Sequence, residues 1–224
     1  RELQPDEGAQ YDVHDQVDLS ALEPLIARPS SPGNVVPVRE AAGTRVDQVI
    51  VGSSVNSSFR DLMVAARITG GRHAHPSTSF HVNPGSRQVI ANVAAHGGVM
   101  MLLMAGARIH EPGCLGCIGM GQAPPPGAVS VRSFNRNFEG RSGTNSAQVY
   151  LVSPETAALS ALAGELVDPM DVSAEMYPAV NAPESFIIDD SMIIPPSDTT
   201  APVFRGPNIG EPPYTVPLTD AING

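Results

Sequence analysis

The chain has 224 residues, is 42% hydrophobic but only 4% aromatic and without Trp, and carries a formal net charge of −10 in which all 13 basic residues are Arg. That hydrophobic fraction supports a packed core and excludes wholesale disorder, and the size fits one domain, alone or with an extended tail. The acidic balance argues against a nucleic-acid partner, and no apolar run approaches the roughly 20 residues of a membrane helix.

In chain order, residues 1–45 read as a polar, extended lead-in with acidic residues at Asp6, Glu7, Asp12, Asp15 and Asp18. Its segment 29–37 begins and ends in proline and reads as a surface loop, since each proline removes a donor and restricts its predecessor. Residues 46–165 read as an α/β domain. The apolar run 46–51 predicts a buried strand, followed by a Ser/Asn-rich loop at 52–58 and a helix through Leu62, Met63, Ala66 and Ile68. A second strand is predicted at 77–82. Pro84-Gly-Ser86 then opens a helix from Arg87 to about His96, broken by Gly97-Gly98 before the apolar 99–105.

Short strands follow at 107–110, 128–134 and 147–152. Ser153-Pro154-Glu155 opens an Ala-rich helix ending near Gly164, with Pro in the first turn after a Ser cap. Strand–loop–helix repetition of this kind predicts a mostly parallel sheet in a three-layer α/β domain. Residues 166–224 are rich in proline and read as an extended arm or linker with one short strand at 185–188.

Cys114 and Cys117 are the only cysteines and share one glycine-rich loop. Two thiols three apart can grip a metal or one corner of an iron–sulfur cluster, act as a redox pair, or simply pack; spacing leaves all three open. Just downstream, Arg136 and Arg141 flank a Gly140 kink and could converge on a polycarboxylate, with Asn135 orienting a hydroxyl. A solvated loop with surface arginines is the bland alternative. The 52–58 loop could cradle an anion with amides and hydroxyls, or merely cap the next helix. The six histidines, at 14, 73, 75, 81, 96 and 110, show no zinc spacing. His73 and His75 read as surface residues, and only His110 lies near the thiols. Paired thiols without a disulfide framework, and no visible signal peptide, fit a reducing cytoplasmic setting. The start at Arg1, without Met, fits a processed piece or one part of something larger.

Taken in order, Gly52-Ser-Ser-Val-Asn-Ser-Ser58, Pro84-Gly-Ser86, Cys114-x-x-Cys117-Ile-Gly-Met-Gly, Ser133-Phe-Asn-Arg-Asn-Phe-Glu-Gly-Arg141 and Val152-Ser-Pro-Glu155 resemble the aconitase family. The resemblance is to its third domain and, through 186–196 and Arg205-Gly-Pro-Asn208, to the linker before the mobile swivel domain of bacterial aconitases. It implies a hydro-lyase interconverting citrate and isocitrate, a place in the tricarboxylic acid cycle, and a [4Fe–4S] cluster held by three cysteines. One open iron then acts as a Lewis acid on the substrate. Cys114 and Cys117 match two ligands, Arg136 and Arg141 match substrate-carboxylate binders, and Asn135 lies beside the cluster.

Two departures bear on this. Ser54 and Val55 stand where the family pattern has Cys-Thr, and Cys-Leu-Gly-Cys stands for Cys-Gly-Pro-Cys. The acid–base residues expected from the family's other domains have no counterpart here. The expectation is therefore a segment that works with further domains or subunits. The alternatives are a non-catalytic module that has lost its cluster, or a dehydratase of the isopropylmalate or homoaconitate type.

Overall fold

The computed structural model describes residues 4–196 together with 206, 207 and 210. Its elements are β1 (Leu25–Ala27), β2 (Val35–Pro37), β3 (Gln48–Gly52), α1 (Phe59–Thr69), β4 (Ser79–Asn83), α2 (Arg87–Ala95), α3 (Gly98–Met104), β5 (Arg108–Ile109), β6 (Val129–Arg132), β7 (Gln148–Leu151) and α4 (Pro154–Ala163). The strands form one sheet in the order β2-β1-β7-β6-β3-β4-β5. The five strands from β7 to β5 run parallel, and the β1–β2 hairpin joins β7 antiparallel.

Local signals account for the helix starts. Ser58 opens α1 with a capping box: its Oγ accepts from the Asp61 amide while the Asp61 carboxylate accepts from the Ser58 amide. Ser86 and Ser153 accept from Val89 and Thr156 at the starts of α2 and α4, and Pro154 occupies the first turn of α4. All five residues of β3 are buried, as expected of a central parallel strand covered on both faces.

The two sheet faces are unlike. Val49, Val51, Phe80, Val82 and Val131 point to one side, where they pack with all four helices in the main core. Gln48, Ile50, His81, Ser130 and Arg132 alternate to the other side. Topology dictates what covers each. The chain advances β3→β4→β5 with α1 to α3 on the first face, then jumps back beside β3 to form β6 and moves on to β7. A right-handed crossover made in the reversed direction must pass over the opposite face. The 110–128 and 133–147 connections therefore lie there, and they make the third layer from loops rather than from α-helices.

Other expectations shift. The segment 29–37 is not all surface loop, because Val35–Pro37 pairs with Leu25–Ala27 and extends the sheet. The strand expected at 185–188 does not form. Instead Asn92 takes the place of a neighbouring strand: its side chain donates to the Ile187 carbonyl at 3.0 Å and accepts from the Ile187 amide at 2.8 Å, while Phe186 packs edge-on against Phe59.

The chain divides into two compact units, Arg1–Ile188 and Asp189–Gly224. In the second, the Ser191 amide and hydroxyl both donate to the Asp189 carboxylate. Arg205 and Asn208 of the linker-like motif, and Pro202, Pro212, Pro213 and Pro217, lie outside the described residues. Among the described residues no helix is long and apolar enough to cross a membrane.

Candidate functional site

Strand order reverses between β3 and β6, and in open α/β sheets the crevice at the carboxyl ends of such strands is where ligands bind. Ser54 follows β3, Asn135 and Arg136 follow β6, and the cysteine loop follows β5. The first loop turns sharply at Gly52, whose φ of 122° suits glycine and where a Cβ would collide with the Asn83 carbonyl. Ser53 next to it holds a φ of 93°. The loop is tied to the start of the third loop by the Gly52 amide on Ser133 Oγ (2.8 Å) and by Asn56 Nδ2 on the Ser133 carbonyl (2.6 Å).

The cysteines differ sharply in setting. Cys114 is exposed, and the Ser54 hydroxyl lies 3.8 Å from its sulfur. Cys117, at the end of a short 3-10 turn, is 1% exposed and packs with Ala27, Ile50, Phe134 and Leu151. Arg141 Nη2 approaches its sulfur at 3.5 Å. At Gly119, φ is 78° and a Cβ would strike the Ser142 carbonyl, so the cysteine and arginine loops touch backbone to backbone. Asn135 and Arg136 are exposed, and Arg136 has no ion-pair partner among the described residues. The Nε of Arg141 is buried without a partner. The structure thus joins Ser54 to Cys114 and Cys117 to Arg141, and leaves Asn135 and Arg136 on the open side.

Arg132 was not singled out from the sequence, yet it is the hub of the site. It is fully buried, and all five of its N–H groups are used. Nε donates to Ser130 Oγ. Nη1 donates to the Gly116 carbonyl and Ser142 Oγ, and Nη2 to Gln48 Oε1 and the Gln122 carbonyl, all at 2.7–3.1 Å. Burial pulls its pKa down to about 10, against an opposing influence from Cys117, so it remains a cation at neutral pH. One signal for it was available: polar residues at alternate positions of adjacent apolar strands (Gln48, Ser130 and Arg132) mark a polar network beneath a covering loop.

The histidines sort by environment. His14, His73, His75 and His96 are exposed. His81 is buried and shares hydrogen bonds with Ser79 Oγ (2.7 Å) and with His110 Nε2 (2.8 Å). Burial, reinforced by His110, Arg108 and Arg132, lowers the His81 pKa to about 4, and burial with Arg108 also lowers that of His110. Because the folded state resists a proton that the unfolded chain accepts below pH 6.5, stability is expected to fall as pH drops from 6.5 toward 4. Allowing for solvent screening, His81 contributes about 2 kcal/mol of that loss. Urea unfolding of wild type and His81→Gln at pH 7 and pH 4.5 checks this. Equal slopes in the two proteins would remove His81 as the cause.

A three-thiolate cluster site is not what these residues provide. The 3.8 Å approach of Ser54 to Cys114 shows that the first and second loops converge, but the donor set is two thiols and a hydroxyl. A hydroxyl is a harder donor than a thiol and far more difficult to deprotonate. Among the described residues no three His, Cys, Asp or Glu side chains group as a metal site either. The set does not fit the three-cysteine ligation that the resemblance implies.

Comparison with known proteins gives a consistent signal. The family model "Aconitase family (aconitate hydratase)" matches residues 1–164. The chain is 43% identical over 171 residues to the 3-isopropylmalate dehydratase large subunit 1 of Methanopyrus kandleri, covering 75% of this chain and 41% of that protein. It is 43% identical over 175 residues to the homoaconitase large subunit of Thermus thermophilus, covering 77% and 42%. The 3-isopropylmalate dehydratase large subunit 1 of Deinococcus radiodurans is 42% identical over 170 residues, covering 75% and 39%. The chain spans about two-fifths of the length of these curated relatives.

Proposed function

The chain belongs to the aconitase family, and from that premise we propose that it is the polycarboxylate-holding segment of a hydro-lyase, completed by further domains or subunits. The observation that carries this reading is the Arg141 bridge: one guanidinium touches the buried Cys117 sulfur while its own Nε stands unpaired. Buried donors seldom go without an acceptor, and a carboxylate is the acceptor that a guanidinium fork matches best. Arg136, exposed five residues earlier on the same loop, supplies a second fork, and Asn135 can orient a substrate hydroxyl.

The names of the relatives favour the isopropylmalate dehydratase and homoaconitase branch over the citrate–isocitrate reaction. A role in the tricarboxylic acid cycle recedes with the latter, and the tail motif that pointed to it lies partly outside the described residues. The [4Fe–4S] cluster expected from the family would draw on Cys114 and Cys117 and would meet a hydroxyl at Ser54. The chemistry assigned to this chain's own residues is therefore binding and charge neutralisation. Acid–base residues and any missing ligation are left to the partners. Ser54 also supports a second reading, a module that binds a polycarboxylate and has lost its cluster for good.

Titration calorimetry with 3-isopropylmalate tests the core of this. Arg136→Ala and Arg141→Ala are each expected to weaken binding about tenfold or more. Unchanged affinity in both variants would sink the reading. Substantial turnover by the isolated chain after anaerobic iron–sulfide treatment would sink the requirement for partners.

A further inference from the structure

Two buried amides outside the thiol and arginine set meet where the first loop, the end of β4 and the cysteine loop converge. Asn83, the last residue of β4, is fully buried, and its carbonyl accepts from the Ser53 amide at 3.0 Å. Its side-chain Oδ1 accepts from Gln122 Nε2 at 2.8 Å. Gln122, 2% exposed, closes the cysteine loop: its amide donates to the Gly119 carbonyl, and its carbonyl accepts from Gln48 Nε2 as well as from Arg132. The Gln122 side chain also lies against Gly116, between the two cysteines, where a Cβ would run into Oε1.

The contact is a poor source of stability. Asn83 Nδ2 and Gln122 Oε1 find no partner among the described residues, so each side-chain amide is only half used. Buried polar atoms without partners are costly, and an apolar pair of similar shape would pack here with little or no loss. What the amide pair supplies and an apolar pair lacks is register: one directional bond fixes how the cysteine loop lies on β4. That register propagates. Gly116 precedes Cys117, Gly119 rests on the Ser142 carbonyl, and Arg141 Nη2 lies 3.5 Å from the Cys117 sulfur.

We propose that Asn83 and Gln122 are positioning residues: their amide–amide bond seats the cysteine loop on β4 and so holds Cys117 against Arg141. Both act through Arg141 rather than on substrate. What Arg141 then holds rests on the polycarboxylate-binding reading, whereas the placement of the loop does not.

The test compares wild type with Asn83→Val, Gln122→Leu, the two combined, and Leu102→Ala as a control in the main core. Each is read by its urea midpoint, by calorimetric binding of 3-isopropylmalate, and by the alkylation rate of Cys117 with Cys114→Ser present throughout. Each single variant strands its partner's amide and the double variant strands neither, so the double is expected to be the more stable. All three are nonetheless expected to alkylate Cys117 at least tenfold faster than wild type and to bind at least threefold more weakly. Leu102→Ala, which lowers the midpoint through a cavity, is expected to leave both of those readouts unchanged. If Leu102→Ala exposes Cys117 as fully as the double variant does, the pair is a structural contact and the proposal is overturned. A double variant with wild-type protection of Cys117 overturns it too, and faster alkylation with unchanged binding removes the link to Arg141. If wild type binds no 3-isopropylmalate, the polycarboxylate reading fails, and Cys117 alkylation alone decides the positioning claim.

Discussion

Replacing Arg132 by Met is expected to cost about 3–5 kcal/mol of folding stability and to open the cysteine loop. The guanidinium satisfies five acceptors on four segments: Gln48 on β3, Ser130 on β6, Gly116 and Gln122 in the cysteine loop, and Ser142 in the arginine loop. A thioether fills some of the volume but donates nothing, so the Ser130 and Ser142 hydroxyl oxygens lose their donor in a buried place, while the Gly116 and Gln122 carbonyls and Gln48 Oε1 each keep only a neutral donor from Gly119, Gln48 and Ser130. Relief from desolvating the charge offsets only part of that. Arg132→Lys keeps the charge with three donors in place of five, and should fall between the two. The urea midpoint measures the stability. The alkylation rate of Cys117, protected in wild type at 1% exposure, reports the loop. If Met leaves both unchanged, the hub does not hold the loops.

Ser54→Cys is expected to turn a weak iron-binding chain into one that assembles a [4Fe–4S] cluster. A hydroxyl at this position supplies a hard donor whose proton is not lost near neutral pH, whereas a thiol with a pKa near 8.5 ionises readily and matches the softness of iron–sulfur clusters. Position 54 already lies within reach of Cys114, at 3.8 Å, and is exposed, so the fold should accept the extra volume. After anaerobic reconstitution, wild type should hold substoichiometric iron and release it to a chelator at least tenfold faster than the variant. Ser54→Ala is the control for the oxygen donor. A complete, stable cluster in wild type would overturn the prediction.

The helices α1, α2 and α4 could be read from sequence because each begins with a serine cap directly before an apolar repeat. The strand β3 could be read because a buried parallel strand is a short apolar run, here of Val and Ile, and β6 and β7 because apolar residues alternate with others along them. The β1–β2 hairpin could not, since strands of three residues among prolines owe their form to pairing with β7 rather than to propensity. The apolar 185–188 segment misled for a related reason, its backbone being claimed by the single side chain of Asn92. At the site, the motif residues were legible, whereas Arg132 looks like the solvent-facing half of an alternating strand until the loop above it is known. His81 and His110 lie 29 positions apart and meet only because β4 and β5 are neighbours.

Seen from its two rims, the sheet constrains how this chain can be built into anything larger. Among the described residues one rim is β5, two residues long, and the other is β2, three residues long and ending in Pro37, which has no amide hydrogen to offer. Neither presents enough free backbone to template a strand from another chain. The further domains or subunits proposed to complete the site would therefore dock through side chains and loops, a contact that can open and close without unzipping a hydrogen-bonded ladder.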